Sequence, residues 1–504
     1  MKQLTTVSAL AFCAMAGPAL ADVSPQQVWD DLGTYMQGFG YSVDGTEAMS
    51  GDTLTVSDVV IGMPIPESDG AVTFGMDQIS LTDRGDGTVS VSFPTTMPIA
   101  ITSEIEGDEL DMVLDYTHDG LEMIVSGAPE NMTYTYTANS LGMVLSKLVV
   151  EGDVITRDMA RVAMTIAGLE GSTNSVLRGG LRSLSQNMSS TDLTIDAAFN
   201  DPESSDGGVF NVKMSGVEMT SESVLPEGMD YSDPTKVFEA GLTTAGELSH
   251  SGSKVEFSAT ENGTTNGTMS TSSGHIKFGV SGEELSYEIG NTDMVLAIAG
   301  PAIPLPINAE MAETSFRFAV PLKPSEEPQD ASMGMTLAGF KTSEMLWNIF
   351  DPGAVLPRDP ATISADLTAK VTPFVNLMDQ EAMLQVESGE QLPGELNAVT
   401  LNSLLVEAAG GKITGDGAFT FDNSDLQSFD GMPRPEGKLN LSVSGANGLI
   451  DKVIQMGFIT EQDAMGARMM LSMFTVPGSA PDTATSTIEV NAQGHVLANG
   501  QRIK

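Results

Sequence analysis

A chain of 504 residues with 68 acidic and 23 basic side chains carries a net charge of −45. Such a surface repels phosphate backbones and anionic headgroups, which proteins hold through Lys and Arg, and this argues against nucleic acid as a partner. Hydrophobic residues make up 41%, enough to build a core. The one cysteine, Cys13, lies in the leader, so thiolate metal sites, Fe–S clusters and cysteine nucleophiles are excluded from the rest of the chain.

The first 21 residues read as a cleavable signal peptide. Lys2 supplies a short positive start, Leu4 to Met15 an apolar run, and Gly17-Pro18 a break before Ala19-Leu20-Ala21. The run is too short to cross a bilayer of about 30 Å as a helix, so no transmembrane segment is expected in the mature chain. Phe12 before Cys13 does not suit a lipidation site. The expected location is the periplasm.

A helix is predicted directly after the leader. Ser24 and Gln27 form a capping box, Pro25 suits the first turn, and Val28, Leu32, Tyr35, Met36 and Phe39 recur at helical spacing. Period-two runs then dominate: 89–93, 110–116, 193–199, 210–214, 255–257, 276–280, 316–318 and 439–443. Each sets apolar residues on one face and polar ones on the other. Turn signals separate them, among them Asp86-Gly87, Asp119-Gly120, Asp206-Gly207 and Asn266-Gly267. Short helices are predicted from Asp233-Pro234 to Leu242, from Thr342 or Ser343 to Phe350, and from Thr460 to Phe474. The fold class is therefore mainly β: long, curved antiparallel sheet with a few short packing helices. The chain divides into the signal peptide, a β-rich region over 22–232 and a second over 233–504 that is continuous with the first or separate from it.

Leu346-Trp-Asn-Ile-Phe-Asp-Pro-Gly-Ala-Val-Leu-Pro-Arg-Asp-Pro360 resembles a hallmark of an exported alphaproteobacterial family, domain-of-unknown-function family 2125. Lys412 to Phe421, Gly437 to Gly445 and Asn499-Gly-Gln501 fit its C-terminal part. More distantly, these strands are similar to AsmA-type envelope proteins. That similarity implies long sheets with an apolar groove and a link to lipid or outer-membrane homeostasis. Neither resemblance supplies a catalytic residue, and the leader here is cleavable where AsmA-type proteins keep an anchor.

Candidate chemistry meets an ordinary structural explanation at almost every position. His118, His250, His275 and His495 lie too far apart in sequence to read as a ligand set. Arg84-Gly85-Asp86 reads as a hairpin turn rather than an adhesion motif. Asp83 to Asp86 and Asp422 to Asp425 are fragments of a calcium loop, and no G-x-S-x-G elbow or phosphate loop is present. No cofactor or metal is expected. One segment without charge, Met294 to Ile307, holds Pro301, Pro304 and Pro306 and reads as a buried crossover or an exposed apolar lip. Its candidate contact residues are Leu296, Ile298, Ile303, Leu305 and Ile307. The 31 methionines allow the same two readings, core filler or adaptable lining.

The leading expectation is a non-enzymatic envelope protein that holds lipid or another hydrophobic ligand in an apolar groove. A scaffold that binds another envelope protein through a sheet edge comes second, and a periplasmic hydrolase third. The leader generates the first test. Intact-mass measurement of native protein is expected to find Asp22 at the N-terminus; a mass retaining residues 1–21, or lipid on Cys13, contradicts it.

Overall fold

The computed structural model describes residues 22–38, 40–64, 71–105, 108–228, 234–261 and 263–504; the expected signal peptide lies outside them. Among the described residues, 27 strands join into one antiparallel sheet, with six short helices. The strand Gly207–Pro226 pairs with both Thr243–His250 and Gly252–Thr260.

Antiparallel order follows from the turns. Most strands are joined to a paired neighbour by a short connection, as Asn131–Val150, Ala160–Arg178, Leu181–Asn200 and Gly207–Pro226 are in succession. Arg84 to Gly87 is one such turn. Gly85 and Gly87 take positive φ there, and the Asp83 and Asp86 carboxylates accept from the N–H groups of Gly85 and Thr88. The prolines of the charge-free segment sit likewise at a turn. Ile298 pairs with Ile307, and residues 300–306 make the tip of a hairpin between two interior strands.

The sheet is amphipathic in its rows as well as in its strands. In-register pairing sets Phe278, Tyr287, Phe318, Met333, Leu367 and Leu401 opposite one another on successive strands. A parallel row runs Met188, Met219, Leu248, Ile276, Ile289, Phe316, Met335. On the other face the corresponding row is Lys277, Glu288, Arg317, Gly334 and Asp366. Lys277 pairs with Glu288 at 3.3 Å, and Arg317 reaches over Gly334 to Asp366 at 2.6 Å. A Cβ at residue 334 would stand 2.7 Å from the Arg317 Nε, so the missing side chain is what lets the arginine pass.

A crease crosses the strands where the pairing skips a residue on both sides. It runs through Gly120, Asn139, Gly168, Thr191, Gly216, Ser251, Ser272, Asp293, Ala312, Gly339 and Thr362. Gly120, Gly168, Gly216, Asp293 and Gly339 take positive φ, and the Thr191 and Ser251 hydroxyls donate to the carbonyls of Ala167 and Ser215. The apolar alternation slips by one residue at the crease, from Met188 to Leu193 and from Met219 to Met214. In a regular strand that slip would turn the apolar set to the opposite face; an irregular residue in each strand is the device that absorbs it.

Helices cover little of this area. The N-terminal helix Pro25–Gly38 packs on the first three strands. There Val28 and Trp29 join Leu54, Val56, Val59, Ile79, Leu81, Val125 and Met132 in the one large buried cluster among the described residues. The capping box forms as the sequence predicts, with Ser24 N–H donating to the Gln27 Oε1 at 2.9 Å.

The crease yields a paired test. Gly168→Ala forces a side chain into positive φ against Thr191 and is expected to cost about 1–3 kcal/mol, read as a lower urea midpoint. Gly33→Ala lies inside the helix with open space around it and is expected to gain up to about 1 kcal/mol. Equal effects of the two changes would show that the crease holds no conformational demand.

Candidate functional site

The N-terminal helix touches strands far apart in the sheet. The Trp29 Nε1 donates to Glu47 at 2.9 Å on the first strand, and the Asp31 carboxylate meets the Arg182 guanidinium at 2.7 Å on the strand Leu181–Asn200. Seven pairings separate those strands, a path of about 34 Å if the sheet were flat. A helix about 10 Å wide can reach both only if the sheet curls around it. The face that receives the helix is the apolar one, so this end of the sheet is a trough and the helix is its roof.

Beneath the roof lies a cavity of about 540 Å3. Leu32 and Tyr35 of the helix form one wall; Met123, Tyr134, Tyr136, Leu184, Leu225 and Leu242 share the rest with polar side chains that include Arg182, Gln186 and Ser221. Arg182 holds the roof in place. Its side chain is 3% exposed, and it donates to Asp31 and Ser175 through one terminal nitrogen and to Glu227 through Nε and the other, at 2.7, 2.8, 3.2 and 2.8 Å. Tyr35 lies 5.7 Å from the guanidinium, and the Tyr134 hydroxyl donates to the second Asp31 oxygen at 2.8 Å. Burial opposes the charge on Arg182, but the two carboxylates outweigh it and hold its proton more firmly. Burial, then the Asp31 carboxylate, push the Tyr134 phenol far above its usual range. Both groups stay protonated through the physiological range, which suits a fixed clamp rather than a proton carrier.

Beyond the helix the trough floor is open. Phe278 is 45% and Met333 48% exposed, with Ile276, Met335, Leu337 and Ile363 also exposed. Tyr287, Phe316 and Phe318 form an aromatic chain with ring centres 6.1 and 5.9 Å apart. The segment singled out from sequence stands at the edge of this surface. Leu296 and Ile298 are half-buried strand residues, Ile307 is exposed opposite Ile298, and Ile303 and Leu305 are half-buried in the hairpin tip. The centre of the apolar face lies instead at Phe278, Tyr287, Phe318 and Met333. Alternation signals each of those strands, but only the register shows that they form one row.

The other sequence motifs resolve into structure. Asp351 is 1% exposed and accepts from the N–H groups of Val355 and Leu356, both at 2.9 Å. Arg358 folds back over Trp347, 4.7 Å from its ring, and donates to the Asp351 carbonyl. Burial pushes the Asp351 carboxyl up, but those two backbone donors and Arg358 outweigh it and hold it below the usual carboxylate range. The hallmark stretch is thus a self-bonded loop. Asp422 and Asp425 clasp Arg434 at 2.9 and 3.2 Å rather than outlining a calcium loop. His275 pairs with Glu288 at 2.8 Å on the charged face, and His250 and His118 sit near the crease.

A shallow trough of about 600 Å3 touches Glu122, Glu170 and Glu218. These stand on alternate columns of the sheet, about 9.5 Å between successive ones, too far to share one metal ion. Among the described residues no group of three His, Cys, Asp or Glu could hold a metal. The carboxyl groups whose proton affinity shifts, such as Asp192, Glu288, Asp422 and Asp482, shift downward; none of them is held up in the manner of a general acid.

Fold and site together define a class: a single-sheet β-protein with a charged outer face and an apolar trough roofed at one end. The chain belongs to the family described as uncharacterized protein conserved in bacteria (DUF2125), whose model matches residues 248–499. The match takes in most of the open floor and the Trp347–Arg358 loop; the roofed cavity precedes it. No curated protein matches the chain. Among solved structures, the alcaligin outer membrane receptor FauA from Bordetella pertussis aligns over 91% of this chain and 69% of its own, at 11% identity and a TM-score of 0.18. A superposition at that score carries no argument.

The clamp can be tested without a ligand. Arg182→Met strands Asp31 and Glu227 beside the cavity and is expected to cost about 3–5 kcal/mol in urea unfolding. Tyr134→Phe removes one hydrogen bond and is expected to cost about 1 kcal/mol. An arginine variant no less stable than the tyrosine variant would contradict the clamp.

Proposed function

We propose that this protein is a non-enzymatic component of the bacterial envelope that holds a lipid or similar hydrophobic molecule along the apolar trough. The observation that carries the reading is the in-register row Phe278, Tyr287, Phe318 and Met333, which no helix among the described residues covers. Apolar surface left in water forgoes about 25 cal/mol per Å2, so a contiguous open face of this kind marks a surface meant to be occupied. The leader expected from sequence supports a periplasmic location for this reading. Among the described residues no helix is long and apolar enough to cross a membrane. The similarity of the C-terminal strands to AsmA-type envelope proteins fits the same reading.

The edge-docking alternative is less well supplied. The first strand, Ser42–Ser50, faces a bulge at Asp58-Val59 opposite Gly45, carries a charge at Asp44, and has Glu47 already engaged by Trp29 and Gln26. Bulges and charges are how sheet edges are kept from pairing.

Native mass spectrometry of protein purified from its own periplasm is expected to show bound lipid. Phe318→Asp should remove it with the β-type circular dichroism unchanged, while Arg317→Ser on the charged face should leave it in place. Equal lipid retention by both variants sinks the proposal.

A further inference from the structure

We propose that the cavity beneath the N-terminal helix receives the methyl end of a single aliphatic chain, so that an amphiphile lies in the trough tail-first. This rests on the trough reading above and adds the ligand class and its direction. The cavity, at about 540 Å3, falls in the range of small-molecule pockets, about 300–1,000 Å3. One row of the ladder leads from its lining to the open strands: Ser223 pairs with Thr244, Thr244 with Val280, and Val280 with Leu285.

Charge decides which end enters. Among the described residues Arg182 is the only cationic one lining the cavity, and it already donates four hydrogen bonds, to Asp31, Glu227 and Ser175. Two carboxylates against one guanidinium leave the cluster with net negative charge, so a carboxylate or phosphate headgroup would meet repulsion there. Five of the neutral polar residues, Tyr136, Gln186, Ser221, Ser223 and Thr244, are also bonded among themselves. Tyr136 accepts from Gln186 at 3.3 Å, Ser221 donates to Gln186 at 3.4 Å, and Ser223 bonds Thr244 at 2.8 Å. A hydrated or sugar-like headgroup would have to break these bonds, whereas an alkyl terminus leaves them intact and covers Leu32, Leu184, Leu225 and Leu242.

Trp29 lies one helical turn from Leu32 and is the natural reporter, once Trp347→Phe removes the other tryptophan. The test uses stearate with a nitroxide either near the methyl end or near the carboxyl, and native mass spectrometry to count bound stearate. The methyl-end label is expected to quench Trp29, the carboxyl-end label to leave it unchanged, and Ser221→Phe, which fills the cavity, to abolish the quenching while stearate stays bound. Quenching by the carboxyl-end label overturns the proposed direction. Bound stearate that quenches Trp29 with neither label, or methyl-end quenching undiminished by Ser221→Phe, overturns the cavity as the site. In all three cases the trough reading stands. If no stearate is bound, the trough reading fails and this inference fails with it.

Discussion

One sheet has two faces, and among the described residues the helix that joins the large buried cluster roofs one end of one of them. The rest of the architecture follows from that constraint. Period-two alternation gives every strand an apolar side, and register lines those sides into rows across the strands. In a sandwich a second sheet would bury such rows. Here the ladder stays a single layer, so the rows of Met, Phe and Leu between Met188 and Leu401 remain half-open while the opposite face is laced with Lys–Glu and Arg–Asp pairs.

The crease and the clamp serve the same end. A long sheet cannot keep one face apolar unless slips in the pattern are absorbed, and the positive-φ residues from Gly120 to Gly339 mark where that happens. The clamp fixes the roof. Arg182 binds the helix to the far wall of the trough through Asp31, and the cost of burying that charge is met by two carboxylates, a hydroxyl and an aromatic face. The acidic surface then does what its composition suggests, keeping a protein with so much open apolar area dispersed.

Much of the fold was legible in the sequence. The alternating runs, turns such as Asp86-Gly87, the Ser24 capping box and the helix starts at Ser343 and Thr460 follow local rules that the structure obeys, whereas Asn266-Gly267, read as a turn, lies inside the strand Thr264–Thr271. What escaped was non-local. The helix Ala446–Gln455 has Gly445 at its cap and no side-chain cap of its own; its first N–H groups are satisfied by Asp482, thirty-five residues on from Asn447. The helix Gln380–Glu387, though capped locally by Asp379, is only eight residues long and has no buried residue, so its apolar signal is weak. The cavity is of the same kind. Asp31, Tyr134, Arg182 and Glu227 are remote in sequence, and no spacing rule joins them. The charge-free hairpin 294–307 drew attention because its composition is unusual, yet the open row lies on ordinary alternating strands.

The central claim is that the apolar face, and not the charged one, is the occupied surface. Photo-crosslinking with a diazirine fatty acid, followed by peptide mapping, tests it most directly, because neighbouring residues on one strand point to opposite faces. Adducts at Phe278, Tyr287, Phe318 and Met333, with Lys277, Glu288 and Arg317 unlabelled, are the predicted result. Adducts spread equally over both sets would contradict it.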